Sequence, residues 1–216
     1  MKYDLVLFDF DGTLMNTSPG IFYCARQAMT ELGLPIRPDV NMNLFVGPPL
    51  GDCFRLTFGL EEQYVDKACD IYRKYYSTVG RFKAEFYPNV IESLGKLKKM
   101  GLPMGITTMK GGNLAQLMVD HFGLSEYIFK VVGADLKGRR TKADLVNQAT
   151  EEFGLADARQ RVLLVGDTML DAEGARIAGT DFLGVSFGFG QFSKEQRAKF
   201  RHPLMEDFSE LPVFVS

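Results

Sequence analysis

The sequence offers little that would suit nucleic acid, a membrane, or thiolate or zinc chemistry. Its 25 basic and 27 acidic side chains leave a net charge of -2, so no cationic excess favours a polyanion. An anionic substrate would need local cations or a metal. No apolar run is long enough to span a bilayer. The first residues lead straight into a strand-like segment, with no apolar core and cleavage site of a secretory leader. The only two histidines, His121 and His202, do not make a zinc site. Three cysteines, Cys24, Cys53 and Cys69, form no CxxC pair. Such an odd, scattered set is expected as reduced thiols packed in helices, in a cytoplasmic protein. Six residues beyond them stand Thr30, Gly59 and Tyr75, not the arginine of a CxxxxxR phosphatase.

What is present is a strongly patterned chain of 216 residues, enough for a core domain and a smaller insertion. Residues 4–9 read as a buried strand running into the turn at Gly12. From about Pro19 the period becomes helical, with Ile21, Ala25, Ala28, Met29 and Leu32 on one face, stopped by Gly33 and Pro35. Val65, Ala68, Tyr72 and Tyr75 mark a further helix, and 19–84 holds no convincing strand. After Pro88 strands and helices alternate. Strands are expected at 103–108, about 129–133, 162–165 and 182–187, with helices at about 89–100, 112–122, from 142, and 171–178. That alternation predicts right-handed βαβ units and a parallel sheet, an α/β fold of Rossmann-like topology. Ligands bind such sheets beyond the carboxyl ends of the strands.

Polar residues collect at those ends. Asp9 and Asp11 close the run Leu5–Phe8, and strand alternation would project both the same way. Two adjacent carboxylates repel unless a cation or a proton resolves the conflict. Thr108 ends the run Met104–Thr108; its hydroxyl and the Met109 N–H would suit a phosphate oxygen at a helix start. It would equally serve as a helix cap or a plain strand residue. Thr141-Lys142-Ala143-Asp144 has the form of a capping box. Lys142 then sits in a first helical turn, where a cation is disfavoured by roughly 0.3–1 kcal/mol. A lysine there suggests an anionic neighbour, or else a solvated surface position. Gly166-Asp167-Thr168-Met169-Leu170-Asp171 follows the strand 162–165. Carboxylates, waters and a phosphate make the oxygen set Mg²⁺ prefers. A turn followed by a helix cap at Asp171 is the plainer alternative.

Together these segments resemble the haloacid dehalogenase superfamily, in its phosphoglycolate phosphatase-like group. Asp9-Phe10-Asp11-Gly12-Thr13 matches the DxDGT motif, Thr108 the strand-end Thr/Ser motif, Lys142 the lysine motif, and Gly166-Asp167 to Asp171 the GDxxxD motif. Phe45–Leu50 is similar to a cap segment of the group, and Tyr87-Pro88-Asn89-Val90 to its return to the core. The resemblance implies a core of residues 1–16 and 86–216 and an inserted α-helical, C1-type cap of 17–85. The cap would close over the site, with hinges near 15–18 and 82–88. It implies Mg²⁺-dependent hydrolysis of a small phosphorylated metabolite through an aspartyl-phosphate. Asp9 would be nucleophile and metal ligand. Asp11 would ligate through its carbonyl and act as acid and base. Thr108, Met109 and Lys142 would hold the phosphoryl group, with Gly47 and Thr17 as further substrate contacts. Asp167 would complete the metal site, with Asp171 behind it. Neither nucleic acid nor membrane is an expected partner.

Some residues depart from the pattern. Asn16-Thr17 stands where Asp-Ser is common, Met109 where a small polar residue is usual, and Asn89 where glycine is usual. Arg26, Arg55 and Lys110 would be contacts for the rest of the substrate, or solvated surface charges. Asp11 argues against dehalogenase chemistry, since a halide needs no acid to leave. A β-phosphoglucomutase-like phosphotransferase would keep all four motifs, but the histidine expected near its first motif is missing. A receiver-type signalling domain would not need the helical insertion or Asp11 directly after the strand, and a non-enzymatic phosphate-binding protein of this fold would be free to change the motif residues, all of which are present.

Overall fold

The computed structural model describes residues 1–135, 139–190 and 202–216. Its main sheet has six strands in the order β5-β4-β1-β6-β7-β8. These are β1 (Leu5–Phe8), β4 (Met104–Gly111), β5 (Lys130–Ala134), β6 (Val162–Gly166), β7 (Asp181–Val185) and β8 (Leu204–Met205). Every neighbouring pair is parallel. A short pair, β2 (Met15–Asn16) and β3 (Glu85–Phe86), forms a separate two-stranded sheet. The helices are α1 (Ser18–Glu31), α2 (Leu50–Phe58), α3 (Glu62–Thr78), α4 (Val90–Lys99), α5 (Gly112–His121), α6 (Lys142–Glu152), α7 (Met169–Ala178) and α8 (Leu211–Phe214).

The chain divides into two compact units, Met1–Asn16 with Phe86–Ser216, and Thr17–Glu85. In the first, β1 is fully buried, as a parallel strand covered on both faces must be. Leu5 and Leu7 face Leu145, Val146 and Ala149 of α6 and Ala172, Ala175 and Ala178 of α7. Each buried leucine or valine contributes about 1.5–3 kcal/mol. Alternation turns Phe8 to the other face, where its ring lies 6.3 Å from that of Phe208. β1 sits between β4 and β6, so the chain reverses its direction of travel across the sheet there. That is where an α/β sheet opens a crevice at its carboxyl edge. The unit is a Rossmann-like core, and the insertion after the first strand makes the α/β fold with an added helical cap domain.

The second unit is α1–α3 with short 3₁₀ turns. Its centre is aromatic. The Phe45 ring meets Phe54 edge-on at 4.9 Å and lies 5.7 Å from Tyr72. Cys53 and Cys69 are buried there, and all three thiols are free and sit in helices. No helix among the described residues is long and apolar enough to cross a membrane.

Several elements differ from the sequence pattern at their ends. β4 runs three residues past Thr108, because a bulge after Thr108 lets Gly111 re-pair with Ala134. β7 stops at Val185 rather than 187, and Ser186 N–H instead bonds the Met205 carbonyl. The seventh helix starts at Met169, capped by Thr168. Asp171 is therefore the third residue of a capping box and not the cap. β8 and α8 carry too little periodic pattern to be expected from sequence.

Candidate active site

The carboxyl edge of the sheet gathers four charged side chains that are almost wholly buried: Asp9, Lys142, Asp167 and Asp171. Asp9 follows β1 directly, and its N–H donates to the Val165 carbonyl at 2.8 Å, as though continuing the strand. Asp167 follows the neighbouring β6, and Asp171 stands in the first turn of α7. Carboxylate oxygens of Asp9, Asp167 and Asp171 all lie within 4.8 Å of one another.

Lys142 enters from the first turn of α6, with Thr141 as cap and Asp144 closing the capping box. Its Nζ donates to Asp9 Oδ1 and to the Thr107 carbonyl, each at 2.6 Å, and pairs with Asp171 Oδ1 at 2.6 Å. An ammonium has three N–H donors, and all three are matched. The anionic neighbour that its helix position implied is thus a pair of carboxylates. Burial works to lower the Lys142 pKa, but Asp171 and Asp9 outweigh it and hold the group charged.

The carboxylates are less well compensated. Burial pushes Asp167 up to about 6, helped by the Asp171 charge and opposed by hydrogen bonds. Asp9 is raised by burial too, with Lys142 opposing. The one ammonium pairs with Asp9 and Asp171 and not with Asp167, which leaves the cluster of three carboxylates short of positive charge. Hard oxygen donors lacking a counter-charge fit a divalent cation such as Mg²⁺.

Asp167 is held by groups the sequence did not signal as a set. Thr13 Oγ1 donates to Oδ1 at 3.1 Å, and the N–H groups of Phe189 and Gly190 donate to Oδ2 at 2.7 and 3.1 Å. The backbone must come very close to do this. A Cβ on Gly188 would overlap Asp167 and the Gly12 carbonyl. The only hint in the sequence is the spacing Gly188-Phe189-Gly190 after a strand.

The remaining expected residues fall as follows. Thr108 is buried at the end of the paired part of β4, and its Oγ1 accepts from the Lys110 N–H at 3.1 Å. Met109 is exposed. Asp11 lies two residues beyond Asp9, yet its carboxylate is not one of the converging three; Oδ2 pairs with Lys110 Nζ at 3.1 Å. Thr17 precedes α1 and Gly47 lies before α2, both in the helical unit. Arg26 is exposed. Arg55 pairs with Asp52 and Glu62 at the surface of the same unit. Lys110, taken as a solvated surface charge or a substrate contact, keeps only 9% of its side chain exposed.

With this geometry the comparisons with known proteins agree. Residues 6–185 match the family model described as haloacid dehalogenase-like hydrolase. A 5'-nucleotidase of Pseudomonas aeruginosa is 32% identical over 88% of this chain and 86% of its own. A phosphoglycolate phosphatase of Rhodobacter capsulatus is 31% identical over 97% of this chain and 95% of its own. Among solved structures, a haloacid dehalogenase-like hydrolase of Streptococcus pneumoniae superposes with a TM-score of 0.86. It is 28% identical and is covered over 99% of its length by 100% of this chain. The chain belongs to the haloacid dehalogenase-like hydrolases. Fold and aspartate cluster together make it an enzyme of phosphatase type, with a carboxylate cluster suited to a divalent cation.

Proposed function

We propose that the protein hydrolyses a small phosphomonoester in two steps, with Asp9 as nucleophile and Mg²⁺ as the cation. One observation carries this: three buried carboxylates converge, and a single saturated lysine pairs with only two of them, Asp9 and Asp171. Asp9, Asp167 and the Asp11 carbonyl would hold the ion, with Asp171 behind them fixing Lys142. The ion would supply charge neutralisation for the phosphoryl oxygens.

The rest is done by the side chains. An Asp9 oxygen attacks phosphorus while Asp11 protonates the departing oxygen. Asp11 then takes a proton from water, whose oxygen attacks the aspartyl-phosphate and restores Asp9. Lys142 opposes the burial that raises the Asp9 pKa, aims its carboxylate, and adds positive charge for the transferring group. Thr108 and the Met109 N–H would orient its oxygens. Thr17 and Gly47 are further proposed substrate contacts, the helical unit selecting the substrate. Phosphoglycolate and a nucleoside monophosphate head the substrate choices, because relatives bear both activities in their names. Three buried, free thiols fit a reducing compartment, the cytoplasm.

The test is phosphate release with Mg²⁺ from a panel of phosphomonoesters including p-nitrophenyl phosphate. Turnover is expected from the wild type and none from Asp9→Asn. Equal rates from the two proteins across the panel would remove the proposal.

A further inference from the structure

Lys110 is unlike the surface lysines of this protein. Those that form ion pairs at the surface, Lys2, Lys74, Lys96, Lys98 and Lys130, keep 48–70% of the side chain exposed. Lys110 keeps 9%, and its Nζ lies 3.1 Å from Asp11 Oδ2. Burying a lysine stem and ammonium costs rotamer freedom and hydration, so the position needs a cause in the fold.

The cause is a bulge. β4 and β5 pair in register up to Thr108 and Gly133, then resume at Gly111 and Ala134. Met109 and Lys110 are two extra residues on β4, and extra residues in a strand re-aim side chains. The bulge packs tightly on its neighbour. A Cβ on Gly133 would overlap the Gly112 backbone and stand 2.7 Å from the Lys110 carbonyl. The Lys110 N–H is meanwhile tied to Thr108 Oγ1 at 3.1 Å. Lys110 thus links the threonine at the strand end, through its N–H, to the second aspartate of the first motif, through its Nζ.

We infer that Lys110 is a positioning residue: it grips one oxygen of the Asp11 carboxyl group and so aims that group at the departing oxygen of the substrate. This rests on the role proposed above for Asp11. In the step concerned, the bond from phosphorus to the leaving oxygen breaks and its electron pair stays on that oxygen. The Asp11 proton moves to the same oxygen as the Asp9–phosphorus bond forms. Lys110 exchanges no proton and touches no reacting atom.

The consequence is a dependence on the leaving group. Phenolate, whose conjugate acid has a pKa of about 10 like tyrosine, needs a proton to leave. p-Nitrophenolate, a far weaker base of nearly the same shape, does not. For Lys110→Met, kcat/KM should fall about 30-fold or more on phenyl phosphate but less than about 5-fold on p-nitrophenyl phosphate. Lys110→Arg, which keeps a donor, should restore the phenyl phosphate value to within about 5-fold of wild type. In an Asp11→Asn background Lys110→Met should cost nothing further on phenyl phosphate. Lys110→Leu, which likewise has no donor, carries the same comparison if the methionine variant does not fold.

Equal losses on both substrates, no loss on either, or a full extra loss in the Asp11→Asn background would each overturn the inference. If the wild type turns over neither phosphate above Asp9→Asn, the proposed function fails and this inference with it. If the wild type turns over both and only the leaving-group contrast is missing, the proposed function stands and the role of Lys110 is wrong.

Discussion

The two units bury different things. The α/β core takes four charged side chains almost entirely out of water. The helical unit buries aromatic rings, aliphatic side chains and thiols, and the ion pairs within it, such as Arg55 with Glu62, stay at the surface. Buried charge weakens a fold unless every partner is present. Apolar packing has no such condition. The core therefore accepts a destabilising feature that only chemistry explains, whereas the helical unit is built as packing alone requires.

That contrast can be broken from the core side first. Lys142→Met leaves three buried carboxylates with no ammonium among them. Phosphatase turnover should drop about 10³-fold or more. Removing one partner of a buried ion pair should also cost about 3–5 kcal/mol of unfolding free energy measured in EDTA. Added Mg²⁺ should return part of that stability by binding the carboxylates in the folded state. A variant as stable as the wild type in EDTA would mean that the cluster is not the strained element described here.

The matching change in the helical unit is Phe54→Ala. Phe54 is fully buried among Phe45, Phe58 and Tyr72. Its loss should cost about 3–5 kcal/mol, read by denaturant unfolding. Mg²⁺ affinity by calorimetry should stay unchanged, because no metal-capable residue is touched. Weakened Mg²⁺ binding would show that the two units are not independent in this sense.

The smallest effect is expected at the exposed pair. Arg55→Ala removes contacts to both Asp52 and Glu62, yet these groups sit in water. The thermal midpoint should move by less than about 4 °C. A larger shift would blur the line between the two kinds of ion pair.

Much of this was readable in the sequence. The β1, β6 and α6 patterns are long apolar or capped segments whose period is unambiguous, and Lys142 stands out through its unfavourable place in a helix. The rest depends on what neighbouring strands do to one another. The bulge that turns Lys110 inward exists because β4 must fit β5, and no local signal marks it. Asp171 reads as a cap because Asp is a good cap, but Thr168 takes that place and leaves Asp171 Oδ1 for Lys142. The hold on Asp167 comes from Thr13 and the backbone of 189–190, distant parts of the chain that meet only when the sheet is complete. β1 itself ends at Phe8, so the pairing of Asp11 with Lys110 is set by the loop beyond the strand and by β4, which the pattern of β1 does not describe.

The central place of β1 in the sheet has a bearing on how the molecule is made. β1 needs partners on both sides, and both leave the ribosome after it. Phe8 must wait for Ile106 on one edge and Val165 on the other. Until then a fully apolar strand keeps an open edge. Contacts that span this much sequence close slowly. Synthesis therefore leaves β1 with at most one strand partner until β6 follows, and the charged cluster cannot assemble before Asp171 has been made.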